Sequence, residues 1–237
     1  MSIYERQTKI LEYLKNNSFA TIKELAGIVW SSESSVRRDV KILESNGYVN
    51  QIYGGVVLSE HKYGVVPVNL RDFSHADVKD ALAKRATEYI FDGATIMMDG
   101  SSTVRRILKY LDKFNGLKII TNNQRIFAEC SNFKHEFYCT GGRFIPQSNI
   151  FVGGSAENFV RAIHADILFF SSQALSNDGE ISDVSEEETS LRRIMIERSK
   201  TKIFLCDSSK LGAKKTFTLC SKDDIDKIIC DTSLPWE

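Results

Sequence analysis

Only three prolines interrupt the 237 residues, and no stretch is dominated by glycine, serine or proline. That excludes a long flexible linker and a low-complexity chain. No apolar run approaches the roughly 18 residues that cross a bilayer. The opening Met1-Ser2-Ile3-Tyr4-Glu5-Arg6 is too polar for a secretory signal, so no membrane partner and a cytoplasmic location are expected. The five cysteines, at 130, 139, 206, 220 and 230, contain no Cys-x-x-Cys pair, and an odd number closes no disulfide framework. Reduced, mostly buried thiols are expected. The histidines at 61, 75, 135 and 164 lack partners at metal-ligand spacing, so neither a metal nor another cofactor is expected. Net charge is missing too, because 31 Lys and Arg match 31 Asp and Glu. Any affinity for nucleic acid must therefore come from where cations sit, not from how many there are.

What is present is a globular composition, 42% hydrophobic and 26% charged, which argues against disorder of the whole chain. The first segment has helical spacing. Ile10, Leu11 and Leu14 form one stripe of a helix expected over 4–14. Thr21-x-x-Glu24 is a capping box that opens a second helix, with Ile22, Leu25, Ile28 and Val29 as its apolar face. A turn is expected over Trp30 to Ser35, and then a third helix with Val36, Val40 and Leu43 inward and Gly47 as its stop. Three short helices, the last two joined tightly, make a helix-turn-helix. Residues 48–58, with Gly54-Gly55 at their middle, read as a two-stranded wing.

Ser34, Ser35, Arg37, Arg38 and Lys41 gather near the start of the third helix, where hydroxyls and cations can bond phosphates and base edges in a major groove. Tyr53 and Gly54 at the wing tip complete the candidate contacts with double-stranded DNA. The alternative for the same residues is an ordinary solvated helix face. Residues 1–58 hold seven Lys or Arg against six Asp or Glu. A net of one cation calls for two or more copies on DNA, hence a homo-oligomer, dimer or tetramer.

From about residue 65 the pattern changes. A helix is expected over 77–91. Short apolar runs then recur at 94–98, 117–120, 137–139, 167–170, 202–206 and 228–230, mostly with helical stretches between them. The alternation predicts an α/β domain with a mainly parallel sheet. The organisation expected is 1–58 as the winged helix-turn-helix, 59–75 as a linker and 76–237 as the α/β domain. Ligands of such sheets bind beyond the C-terminal strand ends. Asp99, Gly100, Ser101, Ser102 and Thr103 form a hydroxyl-rich turn into a helix, readable either as a phosphate cradle or as plain N-capping. Asn122 follows the next strand and is placed to bond sugar hydroxyls. Gly141 and Arg143 follow the third, and Lys210 a later one, the two cations being able to balance a phosphate.

Both halves resemble the DeoR family of transcription regulators. In the first half the resemblance rests on Arg6-Gln7, Leu25-Ala26, Ser34-Ser35-Val36-Arg37-Arg38-Asp39-Val40, Leu43-Glu44, Gly47 and Gly54-Gly55. In the second it rests on Arg71, Lys79, the 99–103 loop, Thr121-Asn122, Gly141-Gly142, Gly153, Leu191-Arg192-Arg193 and Asp207-x-Ser209-Lys210. It implies a ribose-5-phosphate-isomerase-like fold, a phosphorylated sugar effector, oligomerisation and repression relieved by that effector. The chain departs from the family pattern at Trp30, read here as core packing, at Gln51 and Tyr53 where the wing is usually basic, at Ser101, and over Phe170 to Leu175. Two other functions fit less well. One is a sugar-phosphate isomerase using Asp178 or Glu180 as base with Lys210; the other is a ligand-independent DNA-binding protein whose second domain only oligomerises.

Overall fold

Ile10, Leu11 and Leu14 set the first helix, α1 (Ile3–Asn17), by burying one stripe against two further helices. In the computed structural model, which describes residues 1–17, 19–59, 71–72 and 74–236, α1 belongs to the first of two units, Met1–His75 and Ala76–Glu237. The expected linker 59–75 lies mostly outside the described residues.

The second helix, α2 (Ile22–Ile28), starts on the expected capping box. Thr21 Oγ1 accepts from Glu24 N at 3.1 Å, and Glu24 Oε2 accepts from Thr21 N at 2.8 Å. The third, α3 (Glu33–Ser45), begins earlier than its apolar stripe indicated. Ser32 Oγ accepts from Ser35 N and so caps the helix, which moves Ser34 and Ser35 out of the turn and into the first helical turn. Its end is a Schellman reversal: Tyr48 N donates to Leu43 O (2.9 Å), Gly47 N donates to Glu44 O (2.8 Å), and Gly47 has φ +75°. Strands β2 (Val49–Ile52) and β3 (Gly55–Leu58) form the wing, and an unexpected β1 (Phe19–Ala20) pairs with the other side of β3. Gly55 is required there, since a Cβ would lie 2.5 Å from Ala20 O.

Trp30 does not pack in the core, as the sequence reading had it. α2 ends in the same reversal as α3, with Ser31 N donating to Ala26 O and Trp30 N to Gly27 O. The residue at the turning position must leave the helix left-handed, and Trp30 does so at φ +47°, its indole 91% exposed. Without glycine's freedom this costs about 1–2 kcal/mol.

The second unit opens with α4 (Ala76–Ala86), which buries Leu82, Ala83 and Ala86. Its α-helical winding stops there, tightening into a 3-10 turn over Thr87–Tyr89, so Phe91 is exposed rather than helical. All six apolar runs are strands: β4 (Thr95–Met98), β5 (Lys118–Thr121), β6 (Glu136–Cys139), β9 (Ala165–Phe170), β12 (Ser199–Cys206) and β14 (Lys227–Cys230). They form one sheet in the order β14-β12-β9-β4-β5-β6, every adjacent pair parallel. Side chains alternate between its faces. Ile96, Met98, Ile167 and Phe169 join the cluster that holds Leu82 and Ala86. Met97, Leu168, Phe170 and Phe204 join the one that holds Leu191 and Met195 of α8 (Glu186–Glu197). Both faces are covered, which is why these strands read as continuous apolar runs.

The shorter strands were not legible. The hairpin of β7 (Arg143–Ile145) and β8 (Ile150–Val152), and the antiparallel β10 (Ala174–Leu175), β11 (Glu180–Asp183) and β13 (Phe217–Ser221), are brief or carry polar residues at inward positions such as Ser182. Short helices α5 (Ser102–Arg105), α6 (Gln124–Glu129) and α7 (Gly154–Arg161) complete the unit. Among the described residues no helix is long and apolar enough to cross a membrane.

Strand order singles out one place on the sheet. From β4 the chain builds outward through β5 to β6, then returns to lay β9 on the opposite side of β4. The reversal lies between the C-terminal ends of β4 and β9, where open α/β sheets leave room for a ligand.

Candidate functional site

Two regions carry candidate residues, one in each unit. In the first, the Val36-Arg37-Arg38-Asp39 run splits by helical geometry into an inward and an outward set. Asp39 is fully buried and accepts from the Arg6 guanidinium, through Nε and through NH2 at 3.1 Å, and from Gln7 Nε2 at 3.4 Å. That bond to Asp39 raises the Arg6 pKa. Asp39 thereby ties α3 to α1, while Arg37, Arg38 and Lys41 stay exposed. Arg37 meets Glu33 at 3.5 Å, with 60% and 50% of the two side chains exposed. A pair so wet contributes little and gives way readily to a phosphate. Arg38 Nε donates to Ser34 O at 3.4 Å. The hydroxyls of Ser34 and Ser35 each lie 3.0 Å from that of Ser32.

The wing tip is open. Tyr53 is fully exposed and Gly54 turns at φ +88°. Gln51 is held by α3, its backbone N donating to Glu44 Oε1 (2.7 Å) and its Nε2 to Oε2 (2.6 Å). These bonds, the backbone one foremost, lower the Glu44 pKa.

In the second unit, the residues after β4 and β9 meet at the strand-order reversal. Asp99, fully buried, accepts from Ser101 N (3.0 Å), from Ser171 N (3.2 Å) and from Arg192 Nε (2.9 Å). Ser101 caps α5, accepting from Val104 N at 3.2 Å, so its hydroxyl is spent on the helix end. Ser102 is buried beside it, and Thr103 is buried with an Oγ1 that has no partner among the described residues. Gly100 is tight, since a Cβ there would stand 2.3 Å from Ile150 Cγ2 and 3.5 Å from Asn122 Oδ1. Asn122 is 5% exposed; its Nδ2 donates to Phe151 O at 3.1 Å, and its Oδ1 has no partner among the described residues. A buried carbonyl oxygen without a donor costs about 1–3 kcal/mol until something supplies one.

Lys210 reaches the same place through Ser171, donating to its Oγ at 2.8 Å, with Asp207 at 3.6 Å. Asp99, Ser101 and Lys210 are thus linked directly or through Ser171, and Gly100 and Asn122 approach each other next to Ser101. Arg143 is elsewhere occupied, exposed on β7 and paired with Glu187. Gly141, at φ +64° after β6, makes no contact that ties it to the group.

Sequence reading missed the centre of this region. Arg192 is 5% exposed and bonds three carboxylates, Asp99, Asp183 (2.8 Å) and Glu188 (2.7 Å). Ser172 and Ser148 donate to Asp183 and Glu188 in turn. Burial alone would raise the Asp183 carboxyl, but the Arg192 charge and the amides of Val184 and Ser185 hold it below the ordinary value. The Arg192 guanidinium, disfavoured by its own burial, is pushed higher by the surrounding carboxylates. In sequence, Arg192 stood out only as part of the Leu191-Arg192-Arg193 run that carries the family resemblance and by its i, i+4 spacing from Glu188.

The comparisons agree across the chain. Residues 6–62 match the DeoR-like helix-turn-helix domain, and 74–232 match the DeoR C-terminal sensor domain. The transcriptional regulator GolR of Listeria innocua is 30% identical over 98% of this chain and 91% of its own length. A putative aga operon transcriptional repressor of Escherichia coli O157:H7 is 27% identical, covering 98% and 87%. The L-fucose operon activator of Haemophilus influenzae is 28% identical, covering 97% and 92%. Among solved structures, ribose 5-phosphate isomerase of Plasmodium falciparum is similar at a TM-score of 0.42 and 15% identity, over 57% of this chain and 52% of that one. A helix-turn-helix with outward cations, a parallel sheet open at its strand-order reversal and family matches to both halves lead to one conclusion: this chain is a transcriptional regulator belonging to the DeoR family.

Proposed function

We propose that the chain represses a carbohydrate operon, with residues 1–58 holding double-stranded DNA and 76–237 reading a phosphorylated sugar. The observation that carries the DNA half is the split of one helix: Asp39 turned inward onto Arg6, and Arg37, Arg38 and Lys41 left exposed beside Ser34 and Ser35. Tyr53 and Gly54 add the wing tip. The effector lies at the β4–β9 reversal, over Asp99, Gly100, Ser101, Ser102 and Thr103, with Asn122 Oδ1 awaiting a hydroxyl and Lys210 facing the phosphate. The relative named for an L-fucose operon supports a carbohydrate signal, and the one named an aga operon repressor supports the sign taken here. With a net of one cation in 1–58, a homo-oligomer supplies the remaining phosphate contacts.

The second unit acts as a sensor rather than an isomerase. Isomerisation needs a base and a cation at one carbon, yet Asp178 and Glu180 both turn to Lys214, at 3.0 and 3.5 Å, while Lys210 bonds Ser171. The test is fluorescence anisotropy on the DNA upstream of its own coding sequence, with and without a panel of pentose and hexose phosphates. One phosphate should weaken binding severalfold, because only a ligand that distinguishes the two states shifts them. No response to any of them removes the sensing half; no binding to that DNA removes the whole reading.

A further inference from the structure

We infer that Trp30 is a DNA-contacting residue, its indole packing on the deoxyribose edge of the duplex that α3 enters; the inference rests on the DNA-binding reading above. The chain contains its own control. α2 and α3 end in the same two-bond reversal, and the turning position holds Gly47 after α3 but Trp30 after α2. Glycine meets that backbone without strain, and tryptophan does not. Nor does Trp30 gain burial in exchange, since its indole is 91% exposed. The fold is therefore served neither by the conformation nor by the side chain. A bulky apolar residue kept in strained backbone and set in water marks a surface that something else covers.

Its position says what. Trp30 stands two residues before Ser32, the cap of α3, and two residues span at most about 7 Å. From Ser32 onward the first turns of α3 carry the hydroxyls of Ser32, Ser34 and Ser35 and the exposed cations Arg37 and Arg38, with Glu33 already paired to Arg37. A surface of cations and hydroxyls suits a polyanion. Between the phosphates of a duplex lie apolar sugar edges and thymine methyls, which an indole can cover. Such a contact adds affinity without releasing counterions, so it leaves the salt dependence to the arginines.

Trp30→Gly separates fold from function, because it relieves the backbone and removes the ring. Its thermal midpoint should rise by a few degrees, about 4 °C or more. Its Kd for a labelled duplex from upstream of the gene should increase about tenfold, with the slope of log K against log salt unchanged, whereas Arg38→Ala should lower that slope by about one. The only other tryptophan is Trp236. In Trp236→Phe, the emission of Trp30 should shift to the blue and become shielded from acrylamide when the duplex is added. If Trp30→Gly binds as tightly as the unaltered chain while Arg38→Ala binds more weakly, the tryptophan contact is wrong and the DNA reading stands. Shielding that grows with protein concentration and without DNA assigns the indole to a second copy and overturns the contact. If the unaltered chain ignores the duplex, both fall.

Discussion

The two units treat buried charge in opposite ways. On α3 of the first, Asp39 is buried against the partly exposed Arg6, and the cations of the same helix are left in water. On α8 of the second, Arg192 is buried among three carboxylates, themselves surrounded by serine hydroxyls and backbone amides. Under the function proposed above, the difference matches the ligand of each unit. A helix that grips phosphates needs its cations free, since an arginine already bonded in dry surroundings has nothing to offer. A pocket for a small molecule needs its loops held in place beforehand, and Arg192 joins the ends of β4 and β11 to α8 in one network.

The largest test of that contrast is Arg192→Met. It leaves three buried carboxylates without their cation and should cost the second unit about 3–5 kcal/mol. Urea denaturation should show it at Trp236, in the second unit, and leave the transition read at Trp30 unmoved. An equal loss at both probes would break the idea that the network serves the second unit alone.

Acid should act on the same network. The folded pKa of Asp183 is depressed, so its contribution is fully present above the unfolded value of about 4 and is lost as pH falls through the folded one. The thermal midpoint of the second unit should drop on acidification below pH about 4, and Asp183→Asn should remove part of that dependence. A midpoint with the same pH profile in Asp183→Asn would place the acid sensitivity elsewhere.

Arg37→Ala and Arg38→Ala address the other side of the contrast. Each should weaken DNA binding by about 1–3 kcal/mol if it reaches a base and less if it reaches phosphate, with urea stability changed by no more than about 0.5 kcal/mol. A large stability loss would mean these side chains are structural after all. Smallest is Thr21→Ala, which removes the capping box of α2 and should lower the stability of the first unit by about 1 kcal/mol. DNA affinity, measured well below the melting temperature, should be unchanged.

Much of the fold was legible because its causes are local. Thr21 and Glu24 are three residues apart, and their reciprocal bonds form within one turn. The six apolar runs became the six strands of one parallel sheet because a sheet covered on both faces asks for little else of its inner strands. The candidate site was legible only in outline. The loop after β4 was found from its hydroxyls, but its aspartate proved to be bonded to Arg192, which lies 93 residues away. Trp30 was misread because hydrophobicity alone points inward, while the reversal that ends α2 turns this position outward.

By itself, the sequence determined the start of α2, the cap at Gly47, the six strands of the parallel sheet and the cluster of cations on α3, all products of contacts within a few residues or of burial pattern. Tertiary structure alone decided the strand order that reverses between β4 and β9, the meeting of Asp99, Asp183 and Glu188 on one guanidinium, and an Asn122 Oδ1 without a partner among the described residues. The physical reason is distance along the chain. Capping and periodicity depend on neighbours, whereas the partner of a buried charge is whatever the packed sheet brings to it.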